Sequence, residues 1–333
     1  MSATANLPVR HDKPAVDIPI AGFKEIYDVE AVDRALQELP PGASEALKST
    51  YEKMIKVGGQ RFTVKPAGIP AMAHLYEELP NFKEVLDDIK KQIALCANTE
   101  DELELTPMLL LGEPGVGKTH FGRRIADLLG TGFGFVSMSS MTAGWILSGS
   151  SSQWKNAKPG KVFETFLNGQ YANPLIVVDE IDKAGSDQQY DALGALYTLL
   201  EHDTAARFVD EFVELPIDAS GTFWIATAND ASRIPEPILN RVNVYEIERP
   251  DHDGAARIAQ AIYRDIRNSH EWGAAFPPEL KEDVLDRLAE LSPREMRRAI
   301  INGFGNAKLA GRDEIEVEDV GEVRSARKPR IGF

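Results

Sequence analysis

Cysteine is nearly missing from this chain: Cys96 is the single one among 333 residues. Intramolecular disulfides are therefore impossible, and a zinc centre built from several thiolates is excluded. Long apolar runs are missing too. Met108–Leu111, Leu175–Val178 and Phe223–Ala226 fall far short of the roughly 18 residues of a membrane-spanning helix. From Met1 to Pro8 no basic stretch precedes an apolar core, so no secretory signal is expected. These absences point to a cytoplasmic protein with no membrane partner. Nor is there a basic excess. The net charge is −15, whereas gripping nucleic-acid phosphates calls for surplus Lys and Arg. A local basic patch remains possible, but the balance argues against nucleic acid as the main substrate.

The length allows two or three domains. Up to about residue 20 the chain mixes Pro, Asp, Lys and Arg without period and is expected to be disordered. From Ile26 to Val57 the pattern is helical, broken at Leu39-Pro40-Pro41-Gly42. Val64 to Leu79 contains Pro66 and Pro70 and cannot be one long helix. Residues 1–79 thus read as an N-terminal region, partly disordered and then helical, a small appendage whose sequence carries no chemistry. Asn81 is expected to cap a helix with Phe82, Val85, Leu86, Ile89 and Ile93 on its apolar face. Strands and helices then alternate. The candidate strands are Met108–Leu111, Phe133–Met138, Leu175–Val178, Phe223–Thr227 and Val242–Ile247. That alternation implies an α/β domain over 80–250 with a parallel five-stranded sheet. Residues 251–333 read as a small all-helical domain and tail, with one helix marked by Ile258, Ile262 and Ile266. Leu280, Val284 and Leu288 mark a second helix, and Met296, Ile300 and Ile301 a third.

The first candidate strand ends in Gly112-Glu113-Pro114-Gly115-Val116-Gly117-Lys118-Thr119, followed by His120 and a helical face of Phe121, Ile125, Leu128 and Leu129. Strand, glycine loop and helix form the context of a Walker A phosphate loop. Glycines let successive N–H groups curl inward onto phosphate oxygens, and the helix N-terminus adds its dipole. Lys118 supplies a point charge for the β- and γ-phosphates of ATP, and the Thr119 hydroxyl can ligate Mg²⁺. The residues from Gly112 through His120 are the candidate nucleotide contacts.

Leu175-Ile176-Val177-Val178-Asp179-Glu180 supplies the second half, a Walker B strand whose acids emerge at its carboxyl end. Asp179 is the candidate Mg²⁺ carboxylate. Glu180 is the candidate base for the water that attacks the γ-phosphate. A further strand ends at Asn229, whose amide can donate to phosphate and accept from water; the alternative is an Asn that opens the following turn. Arg241, just before the last strand, belongs on the domain edge, where it can reach a neighbouring subunit's phosphate or form a surface ion pair. Ser292 and Pro293 open a helix as N-cap and first residue. That places Arg294 in the first turn, either on nucleotide or in solvent. Trp154 sits in the polar loop Ser151–Gly160, as a contact residue or packed beneath its own loop.

These motifs, in this order and with a helical lid after them, resemble an AAA+ ATPase, a P-loop NTPase. Pro159-Gly160-Lys161, Asn173-Pro174-Leu175, Asp179-Glu180-Ile181-Asp182-Lys183, Ala226-Thr227-Ala228-Asn229 and Ile234–Arg241 resemble the ATPase module of Lon-type proteases in particular. The resemblance covers roughly residues 80 to 310. It implies that Asn229 is the sensor-1 residue, Arg241 an arginine finger acting in trans, and Arg294 the sensor-2 arginine. It also puts Trp154 in the first pore loop, with Lys155 where the family has an aliphatic residue. The Lon peptidase domain has no room after Ala310 and is not expected. The implied protein is an ATP hydrolase working as a homo-oligomeric ring, a hexamer, that remodels or unfolds a protein partner. The rival is a DNA-directed helper ATPase in transposition or replication.

Overall fold

The computed structural model describes residues 20–140, 144–184 and 192–321. Strand β1 (Ile20–Glu25) opens the N-terminal region, helices α1 (Val29–Gln37) and α2 (Glu45–Val57) follow, and β2 (Gln60–Val64) returns antiparallel to β1. The two helices part at the expected Pro-Pro-Gly breaker. The two strands depart from the helical reading, and their disguise is physical. Alternation in β2 places Arg61 at a core-facing position, 3% exposed. Its Nε donates to the carbonyl of Phe166 (2.9 Å) and its Nη1 to those of Gly58 and Gln60 (both 2.8 Å), while Nη2 is buried without a partner.

Nor is this region a detached appendage. Val32, Tyr51 and Met54 share one core with Phe163, Phe166 and Trp224. The buried Asn173 side chain acts as a strand neighbour for β2: its Oδ1 accepts from Val64 N (3.1 Å) and its Nδ2 donates to Val64 O (2.6 Å). Helices α3 (Ala73–Glu78) and α4 (Lys83–Cys96) lead on to the main sheet. A 3-10 turn, Pro80–Phe82, precedes α4 and puts Phe82 at the N-cap. Asn81 is therefore not the cap; its amide donates to the carbonyls of Val116 (3.3 Å) and Glu248 (3.1 Å).

The sheet unit contains β3 (Met108–Leu111), α5 (Lys118–Leu129), β4 (Phe133–Ser137), α6 (Lys161–Asn168) and β5 (Leu175–Asp179). Then come α7 (Gly194–Leu199), α8 (His202–Ala205), a hairpin of β6 (Phe208–Val209) and β7 (Pro216–Ile217), β8 (Phe223–Ala228), α9 (Glu236–Leu239) and β9 (Asn243–Glu246). The five long strands lie in the order β4-β5-β8-β3-β9, every pair parallel. Both faces are covered, which is why β5 and β8 read as unbroken apolar runs. Successive residues divide between the faces: Ile176, Val178, Trp224 and Ala226 enter the core shared with the N-terminal helices, whereas Leu175, Val177, Phe223 and Ile225 pack under α4 and α5.

The C-terminal helices are α10 (His252–Asn268), α11 (Glu282–Ala289), α12 (Pro293–Leu309) and α13 (Val317–Val320), with a core of their own. Tyr263 of α10 stacks on Phe304 of α12, centroids 5.1 Å apart. Asp251 caps α10, and Ser292 caps α12 in a reciprocal box with Glu295, Pro293 being the first helical residue.

Candidate active site

Because β8 lies between β3 and β5, three carboxyl ends emerge side by side, at Gly112, Asp179 and Asn229. They open into a cleft of about 650 Å³, within the roughly 300–1,000 Å³ of small-molecule sites. Pro114 to His120 form its floor. Asp179, Glu180, Thr227 and Asn229 line it from the sheet, and Leu79, Asn81, Ile258, Ile262, Arg294 and Arg297 from the N-terminal and lid helices. Gly115 and Gly117 have φ of +92° and +105°, the left-handed curl that turns N–H groups inward. Gly112 is fixed by packing instead: a Cβ there would stand 2.3 Å from the Ile247 carbonyl oxygen.

The side chains converge. Lys118 Nζ donates to Gly112 O (2.6 Å), Glu113 O (3.0 Å) and Asn229 Oδ1 (3.0 Å). Burial pulls its pKa down, against the pull of Asp179, Asp182 and Glu180. The Thr119 hydroxyl donates to Asp179 Oδ1 at 2.9 Å, so a hydroxyl and a carboxylate share the point where a hard cation takes oxygen ligands. Thr227 Oγ1 donates to the same oxygen (2.7 Å) and accepts from the backbone N–H of Glu180 (3.0 Å). Glu180 has a left-handed φ of 58°. Hydrogen bonds from Lys183 and then Ser139 hold its carboxyl below the usual range, which keeps it ionised. Asn229 is steadied through its own N–H, which donates to Asp182 Oδ2 at 3.2 Å. Such a donor set could take a phosphorylated ligand and a divalent cation.

Residues 108–249 match the family model described as "ATPase family associated with various cellular activities (AAA)". The chain carries an AAA ATPase domain. The matched segment spans the parallel sheet, and the C-terminal helices follow it. Similar proteins include the mitochondrial Lon protease homologues of Aspergillus fumigatus (29% identical over 275 residues, 82% of this chain, 24% of that protein) and Aspergillus niger (31% over 275 residues, 82% and 24%). The Lon protease of Magnetococcus marinus is 30% identical over 249 residues, 74% of this chain and 29% of that one. The chain thus spans about a quarter of the length of the curated relatives it matches. Among solved structures, the RuvB Holliday junction branch migration motor of Thermotoga maritima is 14% identical with a TM-score of 0.47, covering 72% of this chain and 66% of that one. That likeness is too slight to bear on function.

Not every expected residue faces the cleft. Gly112 and Glu113 stand at its margin, where the Glu113 carboxylate accepts from Arg249 Nε at 2.7 Å. Arg241 lies outside, after α9, ion-paired with Glu201 Oε1 at 2.7 Å. Arg294 does line the cleft, with Arg297 beside it. Trp154 is 47% exposed, and its ring meets Trp145 edge-on at 5.3 Å. Glu78, Arg124 and Thr227 are cleft residues that sequence reasoning passed over. Thr227 had a signal: a polar residue two before Asn229 on an otherwise apolar strand shares its face. Glu78 had none, since its place depends on how α3 packs.

No helix among the described residues is long and apolar enough to cross a membrane.

Proposed function

We propose that this AAA ATPase hydrolyses Mg²⁺-bound ATP in the cleft and couples the reaction to remodelling a protein partner, as a cytoplasmic homo-oligomeric ring of hexamer type. The convergence of the Thr119 and Thr227 hydroxyls on one Asp179 oxygen, in the cleft that Lys118 also lines, is the observation that carries the reading. Thr119 and Asp179 hold the cation, and Lys118 with the backbone from Gly112 to His120 holds the phosphates. Glu180 takes the proton of the attacking water, and Asn229 orients that water. Arg294 reaches bound nucleotide from the lid. When bound, Mg²⁺ neutralises charge that develops on the phosphate oxygens.

Arg241 completes a neighbour's site. Its place outside its own cleft, next to the edge strand β9, supports a finger acting in trans, which requires a neighbouring subunit and is met at every site of a closed ring. Similarity to the Lon ATPase region favours a polypeptide as substrate, and so does the half-exposed Trp154 on its loop. An aromatic ring offers large contact area at low entropic cost.

The test measures ATPase activity of the full chain with and without an unfolded protein, and mass in solution with and without ATP. Protein-stimulated turnover in a closed oligomer is expected, and Trp154→Ala should lose the stimulation while keeping basal turnover. Stimulation by DNA and by no protein would overturn the remodelling reading. A chain that stays monomeric with ATP would overturn the ring.

A further inference from the structure

The cleft has a polar wall that the phosphate chemistry does not use. Glu78 ends α3, while His120 and Arg124 stand one helical turn apart on α5, and all three line the cleft. Glu78 Oε1 meets His120 Nε2 at 2.8 Å and accepts from Arg124 Nε at 3.0 Å; Oε2 accepts from Arg124 Nη2 at 2.9 Å. Burial alone would raise the pKa of Glu78, but the bonds from His120 and Arg124 outweigh it and leave it lowered. An ionised carboxylate only accepts, so the proton of His120 must sit on Nε2. In the neutral ring that makes Nδ1 the acceptor. The ring is about half exposed, at 53%.

Its position gives the acceptor a ligand. The β- and γ-phosphates belong to Lys118, and the α-phosphate to the backbone N–H groups that open α5. The sugar comes next along the nucleotide, and His120 is the first side chain past Thr119. Leu79, Ile258 and Ile262 line the same cleft and supply apolar surface suited to a base. We propose that His120, oriented by Glu78, accepts a hydrogen bond from a ribose hydroxyl and makes the site select ribonucleotides over deoxyribonucleotides. The inference rests on the ATP-site reading above. Arg124 is a positioning residue here, since its guanidinium holds the carboxylate that orients the ring.

Calorimetric titration of the full chain with ADP, 2′-deoxyADP and 3′-deoxyADP tests it, the two analogues telling which hydroxyl is read. ADP should bind about two- to tenfold tighter than at least one analogue, as one net hydrogen bond allows. His120→Ala should bring that ratio to one. His120→Asn should keep part of it, because the amide oxygen falls near the place of Nδ1. Glu78→Ala should narrow the ratio while ADP still binds. Equal affinity for all three nucleotides in the parent would overturn the proposal, and so would a ratio that His120→Ala leaves unchanged. Failure of the parent to bind ADP at all would instead remove the nucleotide reading itself.

Discussion

Thr227→Val separates a hydroxyl that organises catalysis from one that merely fills space. Thr227 is fully buried, and its Oγ1 serves both acids of the cleft, donating to Asp179 Oδ1 at 2.7 Å and accepting the Glu180 N–H at 3.0 Å. Valine keeps the shape and loses both bonds. A buried N–H left unpaired costs roughly 1–3 kcal/mol, and a bond to a charged group is worth roughly 1.5–3 kcal/mol. Neighbouring bonds are not additive, so about 2–3 kcal/mol of stability is the expected loss. The catalytic effect should be larger. The bond to Thr227 helps hold Glu180 at a left-handed φ of 58°, a conformation that costs about 1–3 kcal/mol and persists only while its surroundings enforce it. Once released, the carboxylate shifts, and a misplacement of about 1 Å can lower the rate on the order of 10²-fold.

Phosphate release should therefore show kcat down about 100-fold, whereas nucleotide affinity changes little because Lys118 and the glycine loop are untouched. Thermal unfolding reports the stability term separately. Thr227→Ser, which keeps the hydroxyl, should recover most of the turnover. A Thr227→Val enzyme with near-parental kcat would refute the reasoning. A serine variant as impaired as the valine one would mean that packing of the methyl group, not the hydroxyl, is what the site needs.

Glu180→Gln should bind ATP like the parent yet lose roughly 10²–10⁴-fold in turnover, since an amide cannot take the proton of water; Lys118→Ala should instead weaken binding, and unchanged affinity there would sink the phosphate-loop assignment. Arg241→Ala should bind nucleotide normally and lose on the order of 10³–10⁵ in rate. Mixed with Glu180→Gln subunits it should regain activity where an intact arginine faces an intact base, and no recovery in proven co-assemblies would count against a shared site. Burial pushes the Asp210 carboxyl up to about 6 from 3.8, so its contribution to stability is fullest below about pH 4 and is lost as pH rises towards 6. Roughly 3 kcal/mol is the upper bound of that change, and urea unfolding across this window should show a flatter pH slope for Asp210→Asn; identical slopes would contradict the assignment.

The cleft was legible because its residues lie in contiguous stretches. Each strand bears its acid, amide or glycine loop at its own carboxyl end, so alternation and a few motifs suffice to bring Lys118, Asp179 and Asn229 together. The five sheet strands were found within a residue or two of their ends, and β3, β5 and β8 stand out as apolar runs buried on both faces. What stayed hidden depends on long-range packing. Glu78 meets His120 across 42 residues and Arg124 across 46, and no local pattern announces that. Strand β2 hid because it carries a buried arginine, and β1 because its one large apolar side chain in mid-strand, Phe23, faces solvent. Asn81 looked like a cap, since a 3-10 turn ahead of a helix has no sequence signature distinct from a capping residue.

Gly160 lies between these cases. In the sequence it could be recognised only through its resemblance to a Lon segment, yet its necessity is steric. A Cβ on Gly160 would stand 2.2 Å from the Leu147 carbonyl oxygen and 2.5 Å from Gly149 N. Gly149, with φ of +80°, is equally confined, because its Cβ would meet Asp210 Oδ1 at 2.6 Å. Asp210 closes the knot. Its Oδ2 accepts the Gly160 N–H at 2.7 Å, and its Oδ1 accepts from Phe212 N at 2.9 Å, so the base of the Trp154 loop is tied to the turn between β6 and β7. Two glycines and a buried carboxylate therefore fix the root of a loop whose half-exposed tip carries the aromatic ring. These buried bonds fix the root of the loop against the β6–β7 turn and leave its tip to solvent. The polar residues around Trp154 hid this from sequence reasoning, because the groups that anchor the loop lie beyond it, at Gly149 and Asp210.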